Sequence, residues 1–328
     1  MLSFHEKKVK IGVLALQGAF EEHQSCLAAS DKHCTTVQVR TVAELEGLDG
    51  IVFPGGESTA MGLIGTSNGM WDALKEKVIG SKLPTWGTCA GMILLAERCV
   101  GASAVIQDGQ SLIGGLNVLV CRNYFGSQIS SFEMETPPPP SLSSNNEAAE
   151  ESAPFPGVFI RAPAILSVDQ NDDIEILGKV VATPCRQAAV VLRELERKIE
   201  AGENVVQMGV VDALDRKSHP HQIGYIDVKK EPATTINSTA SENVSANRAE
   251  EEKKDVTILE EEQQEQKQNT SNIQLPGASD STNAREVICA VRKQNILCTA
   301  FHPEITSDTR WHSYFVNMVR EDSVRRSN

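Results

Sequence analysis

The sequence has eight cysteines but no Cys-x-x-Cys pair, which removes zinc-ribbon and thioredoxin-type readings. No run approaches the about eighteen apolar residues that a membrane-spanning helix needs. The N-terminal MLSFHEKKVK is polar, and the apolar run after it is too short for a secretory core. A soluble, cytoplasmic protein with reduced thiols is expected. Basic charge is scarce: 31 Lys and Arg face 44 Asp and Glu, for a net charge of −13. That argues against nucleic acid or an anionic membrane as the main partner. No Gly-Lys-Ser/Thr follows Gly55-Gly56, so a phosphate loop is disfavoured. His219-Pro-His221 has no third ligand nearby and reads as a solvated loop, so no metal is expected. Aromatics are absent between Tyr225 and Phe301. With eleven acidic residues against four basic ones, 231–284 cannot offset its chain entropy by apolar burial and reads as disordered.

What is present is an alternation. Lys10–Leu16 and Asp49–Phe53 are short apolar runs of the kind buried in parallel sheets, with Val37–Arg40 and Leu83–Trp86 strand-like beside them. Helical spacing covers Ala19–Ala29, Met70–Val78 and Met92–Arg98, and Ser58 or Thr59 is placed to cap a further helix. The pattern predicts an α/β fold: three layers, a mostly parallel central sheet with helices on both faces. After Gly101 strands dominate, at Leu116–Cys121, Gly157–Arg161, Ile165–Val168 and Ile174–Val181. Thr136–Ala153 is a Pro/Ser/Glu-rich surface loop. Arg186–Ala201 is an amphipathic helix, Val205–Val211 a further strand, and Glu260–Gln268 a transient polar helix. Glu286–Val291 and Ile296–Phe301 lie at hairpin distance, and a helix near Arg310–Val319 ends the chain. One domain over 9–320, interrupted at 136–153 and 182–285, fits better than two.

Three strand ends carry the chemistry. Gly87-Thr88-Cys89-Ala90-Gly91 is a thiol counterpart of the nucleophile elbow, in which a sharp strand-to-helix turn lifts the side chain above the sheet. Taken alone, the corner suits a packed cysteine about as well as a nucleophile. In His302-Pro303-Glu304, extended backbone would turn both side chains to one side, so that Glu304 fixes the imidazole and the other nitrogen serves a thiol. A lone His-Pro-Glu is far more often an ordinary surface turn. Pro54-Gly55-Gly56-Glu57-Ser58-Thr59 offers backbone N–H groups free to turn toward a ligand, or simply a strand-to-helix turn.

PGGEST, GTCAG and FHPEIT in this order resemble the class I (triad) glutamine amidotransferases. LALQGAFEEH at 14–23, CRNYFGSQISSFE at 121–133, VFIRAP at 158–163 and HPEITSD at 302–308 resemble more narrowly the glutaminase subunit of pyridoxal 5′-phosphate synthase, the PdxT/SNO family. The resemblance implies hydrolysis of L-glutamine to L-glutamate and ammonia, with the ammonia supplied to a TIM-barrel synthase subunit that makes vitamin B6, and no cofactor in this chain. It implies Cys89 as nucleophile, His302 as general base and then acid, and Glu304 as its orienting partner. The Gly56 and Ala90 N–H groups would form the oxyanion hole, supported by Gln17 at the subunit interface. Gly55, Gly56, Glu57, Arg122, Ile160 and Arg161 would bind glutamine, with a guanidinium suited to its carboxylate and Glu57 to its ammonium. Taken singly, the two arginines read as surface ion pairs.

Two features depart from that pattern. Ser127 stands where the family carries an arginine, in Phe125-Gly126-Ser127-Gln128. The stretch 182–285 replaces a short strand connection just ahead of His302, so it could crowd the site, dock on the synthase or hang in solvent. Rival readings are a non-catalytic subunit of the same complex, or another thiol hydrolase of the same fold.

Overall fold

A computed structural model describes residues 7–101, 111–126, 131–140, 153–201, 274–278 and 283–326. Ser127, Gln128, His219, His221, the strand expected at Val205–Val211, the helix expected at Glu260–Gln268 and nearly all of 231–284 lie outside these.

The first half alternates as expected: β1 (Val9–Leu14), α1 (Phe20–Ser30), β2 (Cys34–Val39), β3 (Gly50–Phe53), α2 (Ser58–Ser67), α3 (Met70–Lys75), β4 (Thr85–Thr88) and α4 (Ala90–Leu95). β5 (Ala96–Val100), β6 (Leu116–Cys121), β7 (Phe132–Thr136), β8 (Phe155–Phe159), β9 (Ala164–Val168) and β10 (Glu175–Ala182) follow. The chain closes with α5 (Arg186–Glu200), β11 (Arg285–Lys293), β12 (Ile296–Thr299) and α6 (Arg310–Arg325).

One ten-stranded sheet runs β2-β1-β3-β4-β12-β11-β9-β6-β5, with β10 also on β11; β7 and β8 form a separate ribbon. Five ladders are parallel and four antiparallel. From β1 the chain steps one way through α1 to β2, and from β3 the other way through α2 and α3 to β4. Right-handed crossovers therefore put α1 and α2/α3 on opposite faces. α6 packs beside α1 and α4 beside α2. β12, far along the chain, slots in beside β4 (Thr299↔Thr88), so the C-terminal segment completes the same core. Trp86, Phe53, Phe301, Trp311 and Phe315 are fully buried there.

Four expectations need correction. The helix read over Met92–Arg98 stops at Leu95 because Ala96 turns extended (φ −72°, ψ 149°) and enters the sheet against Leu116. Phe132–Thr136 pairs with Phe155–Phe159, so Thr136 belongs to a strand rather than a loop. The strand read over Gly157–Arg161 ends at Phe159, leaving Ile160 and Arg161 in a turn. Glu57, not Ser58 or Thr59, caps α2, its Oε2 accepting the Ala60 N–H at 2.7 Å.

Candidate active site

The C-terminal ends of β1, β3, β4 and β12, four neighbouring parallel strands, deliver the candidate residues to one edge of the sheet, where sites of open α/β sheets form. Cys89 sits where β4 becomes α4, at φ +45° and ψ −98°, a conformation costing a non-glycine residue about 1–3 kcal/mol. Its N–H donates to the Thr299 carbonyl at 2.8 Å, which pins the corner to β12. A Cβ on Gly91 would lie 2.1 Å from the Phe53 oxygen, and one on Gly87 2.6 Å from the Gly91 carbonyl carbon. Both flanking glycines are thus demanded by close approach.

His302 and Glu304 reach the same edge. The His302 N–H donates to the Val158 carbonyl at 2.8 Å, tying β8 to the segment. Nδ1 meets Glu304 Oε1 at 2.7 Å, across a 3₁₀ turn over Pro303–Ile305 rather than along extended backbone as expected. Cys89 lies close enough to the imidazole to act on it both as a hydrogen-bond partner and through its charge. Burial alone would depress the His302 imidazole, but Cys89 and Glu304 outweigh it and hold it well above its usual range. Burial pushes the Glu304 carboxyl up, and the electrostatic influence of His23 with the His302 hydrogen bond brings it net below its usual range. The three side chains form one connected thiol–imidazole–carboxylate set.

The Gly-Gly loop closes over this set. A Cβ on Gly55 would lie 2.3 Å from His302 Cε1, so Gly55 is the surface on which the imidazole rests. Gly56 has φ +155°, and a Cβ there would lie 2.4 Å from Gln17 Oε1. Gln17 Oε1 accepts the Glu57 N–H at 2.7 Å, and the Gly55 carbonyl accepts from Ala19 at 3.0 Å. Among the described residues the Gly56 N–H has no acceptor, and the Ala90 N–H, in the first turn of α4, has none within the helix.

Arg122, at the end of β6, is buried; its Nη2 donates to Thr59 Oγ1 at 3.0 Å and Ser58 Oγ at 3.4 Å, with Glu57 Oε1 at 3.6 Å. This is no surface ion pair. The Glu57 side chain is 37% exposed, so it is a rim carboxylate, not a buried one. Arg161 stands at φ +48°, half-buried, with no hydrogen-bond or ion-pair partner among the described residues. Ile160 precedes it, half-buried on the same turn.

The sequence reading passed over His23 and His312. His23, from α1, is fully buried with Nε2 3.0 Å from Thr88 Oγ1 and 3.4 Å from Glu304 Oε2. Its Nδ1 lies 3.1 Å from His312 Nε2 on α6. The one local signal was a histidine four residues before buried Leu27, on the helix face turned inward. All eight cysteines are free. Burial pushes the thiols of Cys34, Cys99 and Cys289 up to about 12, 11 and 12, and raises Cys298 further, which marks them as packing residues. Among the described residues no His/Cys/Asp/Glu cluster suits a metal ion, and no helix is long and apolar enough to cross a membrane.

Comparison with known proteins agrees with this architecture. A profile of the SNO glutamine amidotransferase family matches residues 13–194. The "Probable pyridoxal 5'-phosphate synthase subunit PDX2" of Arabidopsis thaliana is 33% identical over 313 residues, covering 95% of this chain and 86% of that protein. Its namesake from Dictyostelium discoideum is 31% identical over 332 residues, 96% of this chain and 94% of that one. The "Pyridoxal 5'-phosphate synthase subunit PdxT" of Carboxydothermus hydrogenoformans is 42% identical over 173 residues, 52% of this chain and 80% of its own. The first two alignments therefore run through 182–285. A crystal structure described as a glutamine amidotransferase superposes with a TM-score of 0.52 at 24% identity, covering 94% of this chain and 98% of that one, which shows a shared fold. The chain belongs to the SNO glutamine amidotransferase family.

Proposed function

We propose that this chain hydrolyses L-glutamine to L-glutamate and ammonia and passes the ammonia to a pyridoxal 5′-phosphate synthase subunit of TIM-barrel form. The observation that carries the reading is the connected Cys89–His302–Glu304 set beside the Gly56 and Ala90 N–H groups, for which no backbone acceptor stands among the described residues. The relatives' names supply the synthase context. The reading takes 9–320 as one glutaminase domain acting in the cytoplasm.

The Cys89 thiolate attacks the glutamine side-chain amide carbon, and the new C–O⁻ is received by the Gly56 and Ala90 N–H groups. The C–N bond then breaks; the nitrogen takes the His302 proton and leaves as ammonia, giving a glutamyl thioester. His302, now neutral, takes a proton from water as its oxygen adds to the thioester carbon. The C–S bond breaks, and glutamate and the starting thiolate–imidazolium pair result. Glu304 holds Nδ1 throughout, so that the other ring nitrogen faces the sulfur. Arg161, without a hydrogen-bond or ion-pair partner among the described residues, suits the glutamine α-carboxylate, and Glu57, oriented by Arg122 and its own capping bond, suits the ammonium. Gly55 and Ile160 shape the pocket, and Gln17 holds the Gly56–Glu57 peptide, linking the oxyanion donors to the partner-facing loop.

The test is glutamate release by the purified chain, with and without a synthase subunit. Activity is expected to rise with the partner and to vanish in Cys89→Ala; full activity of that variant would overturn the mechanism.

A further inference from the structure

We infer that His23 and His312 are positioning residues: a buried imidazole pair that clamps both arms of the triad by presenting one directed N–H to Thr88, beside the nucleophile, and to Glu304, behind the base. This inference rests on the glutaminase reading for its activity arm only.

The side chain of Glu304 is fully buried, and its Oε2 makes no hydrogen bond of ordinary length among the described residues. The group facing that oxygen is His23 Nε2 at 3.4 Å, which also lies 3.0 Å from Thr88 Oγ1. A buried carboxylate oxygen left wholly without a donor would be costly, so the proton state of His23 matters.

The geometry fixes that state. His23 Nδ1 and His312 Nε2 face each other at 3.1 Å, so one proton lies between them and one nitrogen must be the acceptor. His312 Nδ1 is buried with no partner among the described residues. A proton there would be an orphaned donor, so the proton of His312 sits on Nε2 and is donated to His23 Nδ1. The single proton of neutral His23 is then on Nε2, aimed at Thr88 and Glu304. The chain of donors runs one way, from α6 through α1 to the triad.

The surroundings favour neutral rings. Trp86 stands edge-on to both, with ring centroids 5.4 Å from His23 and 4.9 Å from His312. Desolvation lowers both histidines, His312 strongly. The titratable groups facing the pair are Glu304, His302, Glu22 and, against the Glu304 carbonyl at 3.4 Å, Cys26.

Long-range proton–nitrogen NMR of the histidine-labelled full chain is expected to show both rings as neutral Nε2–H tautomers from pH 6 to 9. An Nδ1–H or doubly protonated signal from either would overturn the inference, whether or not the chain hydrolyses glutamine. In the glutaminase assay with partner, His312→Phe keeps a flat ring at the site, somewhat larger than imidazole, and removes the donor, whereas His312→Gln keeps an N–H at similar reach. Loss of a hydrogen bond in a buried charged network corresponds to about tenfold in kcat. That loss is expected in His312→Phe with an unchanged KM, restored in His312→Gln. The alkaline limb of kcat/KM should move up by about one pH unit, as a Glu304 whose Oε2 has lost its donor is the more basic carboxylate and holds the His302 proton to higher pH. Equal losses in both variants, or no shift of the limb, would leave only a packing role and refute the clamp. Should His312→Phe fail to fold, the tautomer measurement on the natural chain still decides.

Discussion

Gly55→Ala asks whether the triad depends on a missing methyl group. The added Cβ would lie 2.3 Å from His302 Cε1 and 2.6 Å from Nδ1. Ordinary carbon contacts lie at about 3.5–4.0 Å, so the ring must retreat by about 1 Å. Its 2.7 Å bond to Glu304 has no slack, since a bond stretched by 1 Å is no longer one. The ring cannot tip the other way without leaving Cys89. Misplacement of a catalytic group by about 1 Å costs on the order of 100-fold in rate, whereas overpacking costs about 1–3 kcal/mol in stability. Gly55 is outside the left-handed region, so backbone strain adds nothing. Gly47→Ala is the control: φ is +68° and nothing lies within 4 Å of its Cβ, so it loses stability through strain and keeps its activity. The assay is kcat for glutamine in the complex alongside urea denaturation. A Gly55→Ala protein within about threefold of the natural kcat would refute the steric reasoning.

Three other outcomes follow from the same geometry. Brief iodoacetamide treatment at pH 7 should modify Cys89 before Cys34, Cys99 and Cys289, whose thiols burial holds up near 12, 11 and 12; peptide mass spectrometry reads the order. For stability, the raised His302 contributes fully below its ordinary 6.5, and that contribution is lost as pH rises through its folded value; the depressed Glu304 contributes above 4.5 and loses it as pH falls. The unfolding free energy of the natural chain relative to Glu304→Gln should therefore peak between these limits and fall toward alkaline pH, and a flat difference over pH 5–9 would contradict the assignment. Cys185→Val removes a thiol that donates to the Asn123 carbonyl at 3.3 Å and accepts the Ala188 N–H at 3.5 Å. Loss of a helix cap costs about 1 kcal/mol, and because Asn123 adjoins Arg122, KM for glutamine should rise severalfold with kcat unchanged.

The parts of the site legible in the sequence were those whose chemistry demands a residue type locally. Gly87 and Gly91 are glycines because Gly91 and Phe53 backbone atoms occupy the space of their side chains. The residues that escaped are set by tertiary contacts. Ala96-Glu97-Arg98 reads as the end of a helix, but the Leu94 carbonyl receives the Ile113 and Gly114 N–H groups and the chain turns into the sheet. Ser58 and Thr59 read as caps, but their hydroxyls accept from Arg122, sixty-odd residues away, which leaves the cap to Glu57. His23, Thr88, Glu304 and His312 come from four elements, α1, β4, the turn after β12 and α6; only the last two are near in sequence, and nothing local shows that they meet α1 and β4.

The insertion is tolerated for a reason visible only in the strand register. Ala182 and Arg285 are paired across β10 and β11, so the residues between them close a hairpin instead of interrupting a strand. Closing a longer loop costs only about 0.6 kcal/mol per doubling of length. The root is secured by Arg285, whose guanidinium donates to Glu196 on α5 and to the Pro276 carbonyl. Because β11 runs antiparallel to β12, the insertion leaves the sheet at the edge where Cys89 and His302 stand. His302 itself is positioned by the β4–β12 register and the Val158 carbonyl, neither of which involves 182–285. α5 instead buries Ala188, Val191, Leu192 and Leu195, and the Cys185 N–H at its start donates to the Tyr124 carbonyl, two residues beyond Arg122. Changes at the insertion root should therefore register in how glutamine is held, through Arg122 and Glu57, and leave the thiol–imidazole chemistry intact.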